Sequence, residues 1–276
     1  MLKASWPALM LTAWVGCNQA ETPSSTTATP ATPAAEGTAA TTTEIAVSNT
    51  PAPNASADTP SSSPETPIGP DTKLQNFRER FRGSDLVWKE YQGVMGKDGR
   101  PVKHGIHREF YDDGKTLRES GQFANGKRTG VWELYHRNGK LAKKGQYIDS
   151  KLDGVWQTYN EEGLLMREEA YKMSKKNGVW KHYASDGKRV LREEPYEDGQ
   201  KDGLWHRWYD NGQMSHEIPY VNDQLEGTQK VWFRSGQLQS EVEYVGGKMH
   251  GKATSWNEQG NLADQKMFRE GIQVSQ

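Results

Sequence analysis

The sequence predicts an all-β fold: an elongated, single antiparallel meander sheet of repeated β-hairpins, preceded by a short N-terminal capping helix and a disordered N-terminal tether. Three observations predict it. Glycines recur every 24 or 25 residues from Gly105 onward, aromatic side chains stand at fixed distances from them, and the composition changes abruptly near residue 72.

The period is read from Gly105, Gly130, Gly154, Gly178, Gly203, Gly227 and Gly251, which are spaced 25, 24, 24, 25, 24 and 24 apart. Five residues after each stands Phe110, Tyr135, Tyr159, Tyr183, Trp208, Trp232 or Trp256, and nine after each stands a second glycine, from Gly114 to Gly260. A further aromatic follows (Phe123, Tyr147, Tyr171, Tyr196, Tyr220, Tyr244, Phe268), with an apolar residue six positions before it. Seven copies in one register over residues 105–276 define a repeat array.

Turn chemistry sets the unit. Asp113, Asn138, Asp186 and Asn211 precede the second glycine, and Asp-Gly or Asn-Gly accepts the positive φ angles of a tight hairpin turn. Asn125-Gly126, Asp198-Gly199 and Gly246-Gly247 repeat the signal at the other end. Two turns per period leave two strands of about six or seven residues, and connections this short allow only antiparallel neighbours. About 14 strands at ~4.8 Å each give a ribbon roughly 65 Å long. In the second strand the apolar residue and the aromatic, six apart, are expected on one face. Trp132, Trp156, Trp180 and Trp205 stand two after the first glycine, an odd distance from the next aromatic. Two arrangements stay open: the two sets occupy opposite faces, or a glycine bulge gathers both inside a curled sheet.

Ahead of the array, Asp71 or Thr72 is a candidate N-cap, and Leu74, Phe77 and Phe81 follow at helical spacing up to Gly83. A short helix is therefore expected to cover the first repeat. Residues 86–91 read as an incomplete unit joined by a Gly-rich loop over residues 93–99, so that residues 73–104 form a cap and partial repeat. Residues 18–72 are rich in Thr, Ala, Pro and Ser and have almost no large apolar groups, which predicts a disordered linker.

Residues 1–17 have the form of an export signal, with Lys3 followed by an apolar run too short to span a bilayer. Cys17, the only cysteine, ends the run, so no internal disulfide can form. The segment resembles a bacterial lipoprotein signal. That resemblance implies lipidation of Cys17, a membrane anchor and a place on the outer side of a bacterial membrane in the cell envelope; the alternative is ordinary cleavage and a secreted or periplasmic protein. Residues 1–72 carry Lys3 against six acidic residues, whereas the remainder has 34 basic and 30 acidic residues spread without blocks. This balance offers no electrostatic basis for binding nucleic acid.

The string GVWELYHRNGKLAKKGQYIDSKLDGVW, beginning at Gly130, resembles the bacterial variant of the MORN repeat, also grouped with antitoxin-like repeat proteins. Its Tyr-x-x-Gly-Lys-x-x-Gly-x-Trp core is matched at Phe123, Gly126, Lys127, Gly130 and Trp132, and at Tyr244, Gly247, Lys248 and Gly251. The resemblance covers residues 86–276 and implies a hairpin array acting as a protein-binding scaffold; eukaryotic relatives are linked to membrane association and scaffolding. It also implies a second role, an antitoxin or immunity-like partner of a toxin, from which the export signal and tether depart. Gln229 and Ala253 replace the tryptophan in the last two copies.

Candidate binding aromatics are Trp132, Trp156, Trp180, Trp205, Trp208, Trp232 and Trp256, because ring faces stack on sugars and quaternary ammonium groups. GLWHRWYDNGQM, Gly203 to Met214, resembles choline-binding cell-wall repeats, which implies a glycan or choline ligand. The competing reading makes the aromatic rows the core of a thin sheet. His104 and His107 with Glu109 are a weak metal set and read as solvated loop residues. Glu168-Glu169 and Glu193-Glu194 are strand neighbours facing opposite ways, suited to cross-strand pairing with Lys or Arg. No nucleophile elbow, phosphate loop or zinc helix is present, so neither a catalytic residue nor a cofactor is expected. The leading expectation is a protein partner in the envelope.

Overall fold

The computed structural model describes residues 68–69 and 72–275 together with the backbone of Thr42–Glu44; the expected signal, Cys17 and most of the expected linker lie outside the described residues. Among the described residues there is no helix. Of their 21 strands, twenty pair antiparallel in one open sheet. The other, Thr42–Glu44, lies within the stretch expected to be disordered and pairs in parallel with residues 76–78. It meets the unpaired backbone groups that any outer strand presents.

The expected capping helix is replaced by a hairpin of Gln75–Arg80 and Val87–Met95. Leu74, Phe77 and Phe81 fit a helical period, but only Phe77 is buried, and its ring stacks on Tyr91 at 5.2 Å across the hairpin. Cross-strand pairing outweighs so short an amphipathic signal. The cap is therefore more of the same sheet.

Each repeat contributes two strands, as in Lys127–Tyr135 with Leu141–Ile148. The first glycine lies inside the first strand at Gly105, Gly130, Gly154 and Gly251, and at Gly178, Gly203 and Gly227 it reopens that strand after a one-residue break; φ lies between 65° and 106° in all seven copies. At Gly130 the register shows why: Thr129 pairs with Gln122 and Glu133 with Ser120, so residues 130–132 stand against Gly121 alone. The left-handed turn of the backbone absorbs the surplus residues, a conformation that side chains with a Cβ resist.

A second irregularity recurs between the fourth and fifth residues after that glycine. Leu134 pairs with Lys143 and Tyr135 with Leu141, leaving Ala142 as the extra residue. The expectation that Leu141 and Tyr147 share a face therefore fails, because the bulge between them reverses the alternation.

The two ends of the hairpins differ. At one end, two-residue turns have positive φ at both positions, as at Asn125-Gly126, Asp149-Ser150, Met173-Ser174 and Asn222-Asp223. This is the mirror-image turn that matches strand twist. At the other end only the second glycine has positive φ; the Asp113, Asn138, Asp186 and Asn211 side chains instead accept amides two or three residues on. Both ends are stitched between repeats. A turn amide reaches the carbonyl of the residue two before the first glycine of the preceding unit, from Gly126 to Lys103 at 2.8 Å through Gly271 to Met249 at 2.8 Å, in all seven cases.

Met173, at φ 50°, is the least suited of these turn residues. Met173→Asn is expected to raise stability by about 0.5–1 kcal/mol, read as a higher urea midpoint at unchanged slope.

Candidate functional site

The first strand places Trp two residues after the glycine, and the pairing sets this side chain on the same face as the aromatic of the second strand: Gly130 pairs with Tyr147 and Trp132 with Gly145. The rings form a file. Phe123 meets Trp132 at 5.2 Å, Trp132 meets Tyr147 at 5.9 Å, and Tyr147 meets Trp156 at 5.0 Å. Further on, Tyr171, Trp180, Tyr196, Trp205 and Tyr220 follow at 5.1–5.5 Å between centroids. Mostly edge-on or tilted contacts suit the ring quadrupoles. Each of the four Trp Nε1 groups donates to a carbonyl, of Gln122, Gln146, Ala170 or Pro195, at 2.9–3.2 Å.

Cations cover the file: the Arg128 guanidinium lies 4.0 Å from the Trp132 centroid, and Lys176 lies 3.9 Å from Trp180 and 4.2 Å from Tyr196. Trp132, Trp156 and Trp205 are buried, Trp180 half-buried. These four candidate binding aromatics are thus committed to packing.

Trp208, Trp232 and Trp256 stand on the opposite face with Tyr135, Tyr159 and Tyr183, all half-buried. Of the two arrangements left open by the sequence, opposite faces is the one formed. Tyr135 donates to Glu133 and Tyr183 to Glu168, each at 2.8 Å. Burial, then the Glu168 bond, pushes the Tyr183 phenol up to about 12, while hydrogen bonds from Lys144 and Tyr135 hold Glu133 below the usual carboxylate range.

Across this second face runs an unbroken ladder of directly paired residues: Arg78, Glu90, Arg108, Ser120, Glu133, Lys144, Gln157, Glu168, Lys181, Glu193, His206, Glu217, Lys230 and Glu241. Ion pairs form along it, among them Glu133–Lys144 at 2.9 Å and Lys181–Glu193 at 3.3 Å. Beside the ladder, one residue after each first glycine, Ile106, Val131, Val155, Val179 and Leu204 are 43–55% exposed.

His107 takes the tryptophan position in the first repeat. It is 1% exposed, which corrects the expectation of a solvated loop histidine. Its ring lies 5.5 Å from Trp132 and 5.1 Å from Phe123, so it continues the file. Its Nε2 is 3.3 Å from Glu109 and 3.5 Å from Glu119, two carboxylates paired directly across neighbouring strands. These three residues offer ligand atoms within 4.8 Å of one another. The carboxylates also meet Lys89, Arg118 and Arg128, so an internal ion network already neutralises them. Glu168 and Glu169 do face opposite ways: Glu169 meets Lys143 at 3.2 Å on the packed face.

Sequence reasoning missed the ring-covering cations and the Glu109–Glu119 pair. The first had a signal, a basic residue two before the glycine at Lys103, Arg128, Lys176 and Lys201. The second needs the strand register.

The architecture defines a repeat protein of stacked hairpins with one packed aromatic face and one open charged face. The MORN repeat variant family matches the chain four times, over residues 103–125, 128–149, 201–222 and 225–245. Every match begins two residues before the first glycine of a unit, in phase with the hairpins. No curated protein matches the sequence.

Proposed function

We propose that this chain is a non-catalytic protein-binding scaffold, held at the cell envelope through Cys17, which receives a protein partner on the open face of the sheet. The observation that carries the reading is the row of exposed aliphatic side chains over five consecutive units, flanked by alternating charges and half-buried rings. Solitary exposed hydrophobics are ordinary, whereas these recur on every second strand of one face, with Gln122, Gln146, Ala170 and Pro195 paired opposite the first four and charges beside them, the mixed composition of an interface. The envelope location rests on the signal-like residues 1–17 and the linker composition.

Full-length protein is expected to capture a reproducible partner from crosslinked envelopes, and Val131→Lys with Val155→Lys to lower that capture at least tenfold at unchanged Tm. Capture equal in both, or no reproducible protein, refutes the reading. Mass spectrometry of the mature N-terminus checks the anchor, with diacylglyceryl on Cys17 expected.

A second reading, cell-wall glycan or choline binding, is favoured by the position of Trp208, Trp232 and Trp256 outside the packed file. Blank results from a glycan array and a wall-sedimentation assay would remove it.

A further inference from the structure

We propose that the packed face carries a phosphate-binding site centred on Arg207, with Arg192, His216 and His182 around it. Five consecutive rungs of the sheet are basic: Arg167 pairs with His182, His182 with Arg192, Arg192 with Arg207, and Arg207 with His216. The row spans ~19 Å at ~4.8 Å per strand. It lies on the tryptophan face, since His182 and Arg207 follow Trp180 and Trp205 by two residues.

Like charges directly opposite each other destabilise a sheet, so Arg192 against Arg207 is a cost to the isolated chain. The other arginines of the row have carboxylates. Arg167 meets Glu169 at 3.8 Å, and Arg192 meets Glu194 at 3.3 Å. Glu169 pairs with Trp156 and Glu194 with Trp180, but the residue paired with Trp205 is Ile218. Arg207 thus loses the compensating acid at the very rung where it faces a second arginine. Its Nε is buried and without a hydrogen-bond partner among the described residues.

Burial, then Arg207, holds His216 below the ordinary imidazole value; its Nδ1 meets the Ser215 hydroxyl at 3.0 Å, and Val231 flanks it on the next rung. Burial also lowers His182, with Arg192 and Arg167 adding and Glu194 and Glu169 opposing. The fixed charge therefore comes from the guanidinium groups. A planar carboxylate is satisfied by one guanidinium fork, whereas a tetrahedral phosphate has oxygens for forks on two sides and for an imidazole N–H. A tetrahedral oxyanion therefore suits the row better than a carboxylate, and phosphate, borne as a monoester or a diester, is the one assigned to it. The site uses the face opposite the proposed protein interface, so the two readings stand or fall separately.

The test is an NMR titration of the His182 and His216 ring signals in the full-length protein with inorganic phosphate, glycerol phosphate and diethyl phosphate, against acetate at matched ionic strength. A saturable shift with phosphate and a rise in the His216 pKa are expected, with no response to acetate. A response to only one ester identifies the natural source. Arg207→Gln is expected to raise Tm in phosphate-free buffer, because it removes the like-charge opposition, and to weaken phosphate binding at least tenfold. Arg137→Gln, at a distant turn where the guanidinium pairs with Asp112, should titrate as wild type. Equal shifts with acetate, or unaltered binding by Arg207→Gln, overturn the proposal.

Discussion

Trp132→Ala is expected to cost about 3–5 kcal/mol, the range for emptying a fully buried large aromatic site. The ring is 0% exposed, touches Phe123, His107 and Tyr147, donates through Nε1 to Gln122, and lies under Arg128. It fits because Gly121 lies beneath it: a Cβ there would come within 2.3 Å of the ring, and one at Gly145 within 2.1 Å of Trp156. Gly145→Val should therefore be as damaging through overpacking as the alanine is through the cavity. Since each repeat contacts only its neighbours, the damage should spread unevenly along the array. Urea unfolding followed by tryptophan fluorescence and circular dichroism should show a broadened transition for Trp132→Ala. A single transition displaced by less than about 1 kcal/mol would show that the ring file does not hold the sheet.

The second large effect is acid sensitivity at Glu109. Burial alone would raise its pKa, but the hydrogen bond from His107 and the charges of Lys89 and Arg118 overrule burial and hold it down at about 2, against an ordinary value of 4.5. A carboxylate with a depressed folded-state pKa contributes stability that is complete above its unfolded pKa and disappears as pH falls through the folded one. The window is therefore about pH 5 down to pH 2, and the loss is on the order of 2–3 kcal/mol. Glu109→Gln should be less stable than wild type at pH 7 and show a flatter decline across that window. Parallel stability curves for the two proteins from pH 6 to pH 2 would contradict the assignment.

The period, the antiparallel hairpins and the aromatic rows were legible in the sequence because a glycine at positive φ and a packed ring both demand fixed places in a repeat. What the rings face was not legible. A bulge of one residue reverses side-chain alternation, and nothing in Leu141 or Tyr147 announces that Ala142 lies outside the ladder. The helical reading of residues 72–83 failed because three apolar residues at spacings of three and four fit a helix face as well as a strand flanked by loops. His107 was misread in isolation, although aligned by repeat it occupies the tryptophan position, where a second aromatic ring was the natural expectation. The alternating ladder from Arg78 to Glu241 is fully encoded in sequence, yet its members become neighbours only once every register is known.

The seven equivalent bonds from a turn amide to the carbonyl of the preceding unit give every seam of the array the same backbone connection. A copy of one period inserted at any seam would find the same backbone donors and acceptors on both sides. In-frame duplication or loss of 24 or 25 codons would therefore reset the protein's length as on a ruler, one graduation at a time, without inventing a new junction.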